Sequence, residues 1–545
     1  MTTGKPVAQG EKTPGVEVEL DLGELASLVA RLREGAERDR EDTFPHPTGE
    51  TRVIETHISH VLLTGAFAYK FKKPVDFGFL DFSTAARRAH FCAEEIRLNG
   101  RTAPEIYVDV ARVTGSRKAP RIDGTGPVLA HAVRMRRFDD AALLDRMLEK
   151  NALRDSHAQA MAEAVARMHE HADRNAVDSV YGTPESVWHP VERNFEVLDG
   201  LTSLNALKPR LAELRAGSGA LHTRLEEFFV QRRSQGFVRE CHGDLHLGNI
   251  AWIKEHAVPF DAIEFNPDLR WIDVMSDASF TTMDLEARDH RGLAAAFISH
   301  YLDQTQDYGG TPALRYYQAY RAMVRAKVTG LRLEQDGDGD RHTPEIIHYL
   351  DLAARYLDLA ARYLGLDGPG HTRPELFITR GLSGCGKSTL AHQVTLLRGA
   401  VRIRSDRVRR SLSEGAHGYA ADARQRVYET LARHARTALK SGLSVIVDAT
   451  FLTRKQRAPF QALARELNLP WRILDIQAPT QVLKQRIAER LDRGDDPSEA
   501  YPELVDKQSR ELEPLSSSER HHCWALDSSD PAAATDTLTG RLNSN

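Results

Sequence analysis

The stretch Leu376 to Thr389, LFITRGLSGCGKST, limits what this chain can fold into more than any other. A short apolar run, Leu376–Phe377–Ile378, enters a loop that fits GxxxxGKS at Gly381, Gly386, Lys387 and Ser388. Glycines at this spacing let successive backbone N–H groups curl around an anion. The helix that follows points its positive N-terminal end at the same place. Ser383, Gly384 and Cys385 form the inside of the loop and Thr389 closes it, so the whole run is the expected phosphate cradle. Lys387 reaches the outer phosphates, and the Ser388 hydroxyl is placed to hold Mg²⁺. A helical pattern from Leu390 to Leu397 supplies the context this motif requires. The stretch predicts binding of a nucleoside triphosphate with Mg²⁺.

Length and composition narrow the rest. The 545 residues suffice for three or four domains, and 41% hydrophobic with 28% charged residues is the balance of a globular protein. A formal charge of −4 gives no expectation of nucleic-acid coating or of a membrane surface. The four cysteines, Cys92, Cys241, Cys385 and Cys523, lie far apart without metal-ligand spacing. The 23 histidines are scattered, and the adjacent pair His521–His522 is read as no metal site. No apolar run approaches the roughly 18 residues that span a bilayer. The polar N-terminus has no signal-peptide core, so a cytoplasmic protein with free thiols is expected.

Residues 1–16 read as a disordered tail, and Leu20 to Leu32 as a helix. From Arg52 the chain reads as strands, TRVIETHISHVLLTGAFAYKFKKPV, in which Ala68, Lys70 and Lys72 alternate onto one face. A helix carrying Glu94 and Glu95 follows, then two strand-like pieces, EIYVDVARVT and PVLAHAVRMRRF, then a long helical region from Asp140. Strands with one helix, then mostly helices, is the layout of a two-lobed kinase.

Residues 241–250 read CHGDLHLGNI, and FDAIEFNPDLRWIDVMSD follows a strand-like piece. An Asp on a loop with an Asn five positions on can do two jobs at once. Asp244 orients or deprotonates an attacking hydroxyl, while Asn249 holds a Mg²⁺ that bridges phosphate oxygens. Glu264, on the next strand, can add a metal-ligating carboxylate.

These residues carry a resemblance. Residues 50–330 resemble the aminoglycoside-phosphotransferase family, the small-molecule branch of the protein-kinase-like fold. HGDLHLGN matches the family's catalytic loop, which implies Asp244 as the catalytic Asp and Asn249 as a metal ligand. AIEF stands where the family has IDF, which places Glu264 at the metal-binding Asp. Asp273 and Asp277 match the D-x-x-x-D that follows, with Asp277 as a brace. FAYK resembles the kinase VAIK strand, implying Lys70 as the phosphate-binding lysine and Glu95 as its partner, with Lys72 and Glu94 as substitutes. RMRRF at 134–138 would be the hinge beside adenine. The chain departs from the family in Glu264 itself and in the single glycine of LLTGAFAYK.

EQDGDGDRHTPE reads as a linker, and LDLAARY occurs twice, at 350–356 and 357–363, as one amphipathic helix ended by Gly365. The expected divisions are an N-lobe over 17–139, a C-lobe over 140–333, linker and repeat helix over 334–373, and a P-loop domain over 374–545.

The last domain alternates strand and helix, which predicts a parallel sheet with crossover helices. Ser405–Asp406–Arg407–Val408–Arg409 gives D-x-x-R after the second strand: an acid for a hydroxyl proton and an arginine for an anionic group. Asp448 ends the strand VIVD facing the P-loop and can hold the Mg²⁺ water shell. Arg486, Arg490 and Arg493 share one basic segment. Residues 374–545 resemble small P-loop kinases of the polynucleotide 5′-kinase, gluconate-kinase and zeta-toxin types. That implies Asp406 as general base, Arg409 as substrate anchor, and Arg490 or Arg493 as the lid arginine. LDSSDP at 526–531 resembles their adenine-bordering loop. The whole chain resembles bacterial fusions of an aminoglycoside phosphotransferase with an ATP-binding protein.

The expected fold is an α+β two-lobed kinase-like domain followed by an α/β P-loop domain. The expected activity is phosphoryl transfer from ATP to hydroxyl acceptors by two modules. The acceptor stays open between a small molecule and an oligonucleotide, and the oligomeric state is open too. The alternative is a polynucleotide 5′-kinase regulated by a nucleotide-binding pseudokinase.

Overall fold

The computed structural model describes residues 18–38, 42–78, 80–176, 178–336, 344–366, 373–413, 420–493 and 501–544. The reading of 1–16 as a tail and most of the linker fall outside them. Contacts gather the chain into two compact units, one of Met1–Arg146, His242–Asp244 and Gly248–Arg270, the other of Met147–Cys241, Leu245–Leu247 and Trp271–Asn545.

In the first unit, strands β1 (Thr51–Glu55), β2 (Ser59–Thr64), β3 (Phe67–Lys72), β4 (Tyr107–Ser116), β5 (Ala119–Ile122) and β6 (Val128–Arg136) form an antiparallel sheet of order β1-β2-β3-β6-β4-β5. Successive strand side chains point to opposite faces. Tyr69 and Phe71 therefore join Leu62, Val113 and Ala132 in a core closed by the helix Leu22–Glu37. Lys70 and Lys72 point the other way, toward the helix Ala85–Asn99. That first helix starts where Asp21 and Glu24 form a capping box, two residues later than the apolar pattern from Leu20 predicts.

The second unit carries the short strand β7 (Val238–Glu240), and the first unit carries the hairpin β8 (Ile250–Ile253) and β9 (His256–Pro259); β10 (Trp271–Asp273) pairs with β7. The helices Asp155–His171, Lys208–Ser234, Val274–Ala287, Arg291–Thr305 and Leu314–Asp336 build the helical part of the second unit. The amphipathic repeat lies in the helix Pro344–Leu364, which packs along Leu314–Asp336 and stops at Gly365 in a left-handed conformation. Arg232 organises this region. Its guanidinium grips Asp273 at 2.7 and 2.8 Å and Asp307 at 2.6 and 2.7 Å, all buried. Arg232→Ala leaves two buried carboxylates unpaired, so the unit should lose roughly 3–5 kcal/mol of stability. A fall in the denaturant midpoint checks this; an unchanged midpoint would refute it. Asp277 pairs with His169 at 3.1 Å, both buried, which is a bracing role.

The P-loop part has five parallel strands, β11 (Leu376–Arg380), β12 (Val401–Arg404), β13 (Val445–Asp448), β14 (Trp471–Gln477) and β15 (Cys523–Asp527), in the order β12-β13-β11-β14-β15. Their near-continuous apolar runs fit strands buried on both faces. β12 lies at an edge of the sheet. Its outward groups are taken by the helical region: the Arg402 N–H donates to Ser299 Oγ at 3.1 Å and its carbonyl accepts from the Tyr308 hydroxyl at 3.4 Å. Nearby, Gly292 passes so close to the helix Lys387–Arg398 that a Cβ there would stand 2.6 Å from the Leu396 carbonyl oxygen. Among the described residues no helix is long and apolar enough to cross a membrane.

Candidate active sites

In the P-loop part, β11 delivers the chain to the loop and the helix Lys387–Arg398 leaves it. Gly384 and Gly386 take positive φ of 83° and 84°, and a Cβ on Gly384 would meet the Leu483 carbonyl oxygen at 2.8 Å. Cys385 turns inward and is buried in the sheet core, where burial raises its thiol above the ordinary range. It backs the loop by packing. The Lys387 ammonium donates to the Leu382 carbonyl at 2.7 Å, so it rests on the loop's own backbone.

A cavity of about 710 Å³ opens over the loop. Ser383, Gly384, Gly386, Lys387 and Ser388 line it, and so do Asp406, Arg409, Asp448 and Arg490. The P-loop, the D-x-x-R, the end of VIVD and the basic helix are thus brought together. Gly381 and Thr389 do not line it, and the Arg493 side chain lies outside the described residues. Asp406 and Arg409 pair at 3.3 Å across one turn of helix, as an i,i+3 spacing allows. Asp448 is buried at the strand end, and no hydrogen bond to its carboxylate is found among the described residues. A hydroxyl and a carboxylate beside a phosphate loop fit Mg²⁺, a hard cation that takes oxygen.

Sequence reasoning missed part of the wall. Arg404, Arg424, Arg426 and Lys507 line the same cavity. Gln508 accepts from the Ser383 N–H at 2.8 Å and donates to its hydroxyl at 3.0 Å. These come from the end of β12 and from two helices, Ala420–Lys440 and Leu504–Glu511, that lie far apart in the chain, so no motif announces them.

In the first unit, Lys70 and Lys72 converge on one carboxylate. Lys70 Nζ is 3.0 Å from Glu95 Oε1, and Lys72 Nζ is 2.6 Å from Glu95 Oε2. Both lysines thus meet the same partner, while Glu94 faces Arg97 at 2.9 Å. Burial would raise the Glu95 carboxyl, but the two ammonium groups outweigh it and hold it at about 2. Lys72 also pairs with Glu264, which is 4% exposed. Lys70 also pairs with Asp261 at 2.5 Å, and this carboxylate is 40% exposed. Burial would lower the Lys70 ammonium; Asp261, Glu95 and Glu264 raise it well above its ordinary value.

Glu264 does not lie on a strand as expected. Asp261 takes φ of 63°, and the next N–H groups go elsewhere: Ala262 to the Asn99 amide oxygen at 2.9 Å, Ile263 to the His242 carbonyl at 3.0 Å. Nor does Glu264 present a carboxylate to a cation, because burial and Lys72 enclose it. As folded, Glu95 and Glu264 are taken by the two lysines and do not fit a Mg²⁺ ion. The polar residues of the HGDLHLGN stretch do meet. Asn249 Nδ2 donates to Asp244 Oδ2 at 3.1 Å and to its carbonyl at 2.9 Å. His242 Nε2 lies 2.8 Å from the Phe260 carbonyl, which can only accept; its Nδ1 therefore accepts the Asp244 N–H at 3.3 Å.

A family model described as an AAA domain matches residues 376–515. The uncharacterized proteins Rv2004c of Mycobacterium tuberculosis and Mb2027c of Mycobacterium bovis are each 30% identical to this chain over 466 residues, 82% of this chain and 88% of theirs. The chain belongs to the family of these mycobacterial proteins. Family membership rests on both compact units, since a match of that length far exceeds the P-loop part. Among solved structures, a gluconokinase from Sinorhizobium meliloti is 21% identical with a TM-score of 0.25, covering 31% of this chain and 93% of that one. The APS kinase of Mycobacterium tuberculosis is 19% identical with a TM-score of 0.23, covering 32% and 99%.

Proposed function

We propose that the chain is an ATP-dependent phosphotransferase whose P-loop part passes the γ-phosphate of ATP to a hydroxyl acceptor, with a second phosphotransferase module in the first half. The observation that carries this is the single cavity shared by the phosphate loop and by Asp406, Arg409, Asp448 and Arg490. Its volume of about 710 Å³ is that of a small-ligand site, which favours a small acceptor over a strand of nucleic acid.

Mg²⁺ bound with ATP, held by Ser388 and Asp448, would neutralise charge between the phosphates. The chain's own groups do the rest. Asp406 accepts the proton as the acceptor O–H bond breaks. The acceptor oxygen bonds to the γ-phosphorus while the bond to the bridging oxygen breaks, its electron pair leaving on ADP. Lys387 moves from Leu382 onto the outer phosphates, Arg409 grips an anionic group of the acceptor, and Arg490 faces the transferring group. Incubation with γ-labelled ATP against hydroxylated metabolites and 5′-hydroxyl oligonucleotides tests this. Label on a metabolite supports it, and label on an oligonucleotide, with steep salt dependence, turns the reading to a polynucleotide kinase. No transfer to any acceptor overturns it.

For the first half, Asp244 and Asn249 hold the arrangement of a phosphotransferase loop, with Lys70 as the phosphate lysine and Glu95 as its partner. A second reading, a regulatory nucleotide-binding module, is favoured by the enclosure of Glu264 under Lys72. Asp244→Ala on a Lys387→Ala background separates them. Residual metal-dependent ATP consumption that Asp244→Ala removes, by about a hundredfold or more for a lost proton acceptor, makes the first half an enzyme. ATP binding without consumption makes it a regulator. We further propose a cytoplasmic location, free of membrane and of nucleic-acid coating.

A further inference from the structure

Three side chains from three helices of the second unit converge on one point. They are Asp155, opening Asp155–His171; His300, in Arg291–Thr305; and His392, in Lys387–Arg398. One ligand atom from each lies within 4.8 Å of the other two, and all three residues are half-buried. His392 Nε2 and Asp155 Oδ2 are 3.0 Å apart. Yet among the described residues neither His392 Nε2 nor Asp155 Oδ1, buried beside it, makes a well-formed hydrogen bond. Two atoms this close that do not aim at each other suit a shared ion. In a tetrahedral site with bonds of roughly 2.0–2.1 Å, neighbouring ligand atoms stand about 3.3 Å apart.

A second cluster shows the contrast. His169, Cys241 and Asp277 also gather, fully buried. There His169 spends Nδ1 on the Tyr301 hydroxyl at 2.9 Å and Nε2 on Asp277 at 3.1 Å, so no ring nitrogen is left for a metal. At the first cluster, by contrast, His392 Nε2 and Asp155 Oδ1 have no such hydrogen-bond partner among the described residues.

We propose that Asp155, His300 and His392 form a binding site for a zinc-class divalent metal, its fourth position open to water or a small ligand. Two imidazoles and one carboxylate suit Zn²⁺ rather than Mg²⁺, which takes oxygen. Three protein ligands with one open position is an arrangement zinc accepts. The ion would tie the helix that begins with Lys387 and Ser388 to two helices of the helical region. The proposal is independent of the phosphotransferase reading.

The test uses the full chain, stripped with chelator and dialysed against Zn²⁺ with Mg²⁺ in excess. One Zn²⁺ per chain is expected, with a raised melting temperature. Substitution with Co²⁺ should give the visible absorption of a tetrahedral nitrogen–oxygen site. His300→Ala and His392→Ala should each abolish both signals and melt like the metal-free wild type, while Cys241→Ser keeps them. Asp155→Asn, nearly isosteric, covers the case in which a histidine variant fails to fold, and should weaken Zn²⁺ binding at least tenfold. Absence of an equimolar ion, retention of it by the double histidine variant, or unchanged affinity in Asp155→Asn overturns the proposal.

Discussion

Asp406→Asn lowers phosphoryl transfer by the P-loop part by about two to four orders of magnitude, the range of a lost general base, while ATP binding stays near wild type. The amide keeps the shape and the hydrogen bonding but cannot take the acceptor's proton. It sits 3.3 Å from Arg409 on the wall facing the P-loop. Arg409→Ala should act differently, raising the KM of an anionic acceptor with a smaller effect on kcat, because it loses a grip and not a proton acceptor. Rate measurements beside calorimetric ATP titrations separate the two. If both variants turn over unchanged on an identified acceptor, the site is a nucleotide switch.

Lys387→Ala should cost about two to three orders of magnitude in transfer, as for removal of one preorganised charge-stabilising donor, and should abolish detectable ATP binding by this part. The fold should survive, since among the described residues the ammonium touches only the Leu382 carbonyl and the edge of Cys385. Circular dichroism and melting would match wild type. Undiminished nucleotide affinity at the P-loop would overturn the assignment.

Much of this was legible from residue order. The parallel sheet followed from apolar runs of fixed length between helical patterns, and the P-loop from glycine spacing that the observed φ at Gly384 and Gly386 requires. The lysine pair was legible as alternation on one strand, but not its common partner. That Lys70 and Lys72 both reach Glu95 depends on where the helix Ala85–Asn99 lies across the sheet. Asp261 was missed because its role arises from a left-handed turn and from backbone donors drawn off to Asn99 and His242. The same holds for Asp155, His300 and His392, which sequence spacing scatters and packing gathers.

The capped edge strand β12 has a consequence for how the chain is made. Its outward N–H and carbonyl are satisfied by Ser299 and Tyr308, residues that leave the ribosome some hundred positions earlier. Domains tend to fold in the order of synthesis, N-terminal first. The covering residues are therefore synthesised before the strand, so partners for its open, pairing-prone edge are at hand when the sheet forms. A gene with the P-loop coding segment moved to the front would reverse that order and expose the bare edge to its neighbours on the polysome.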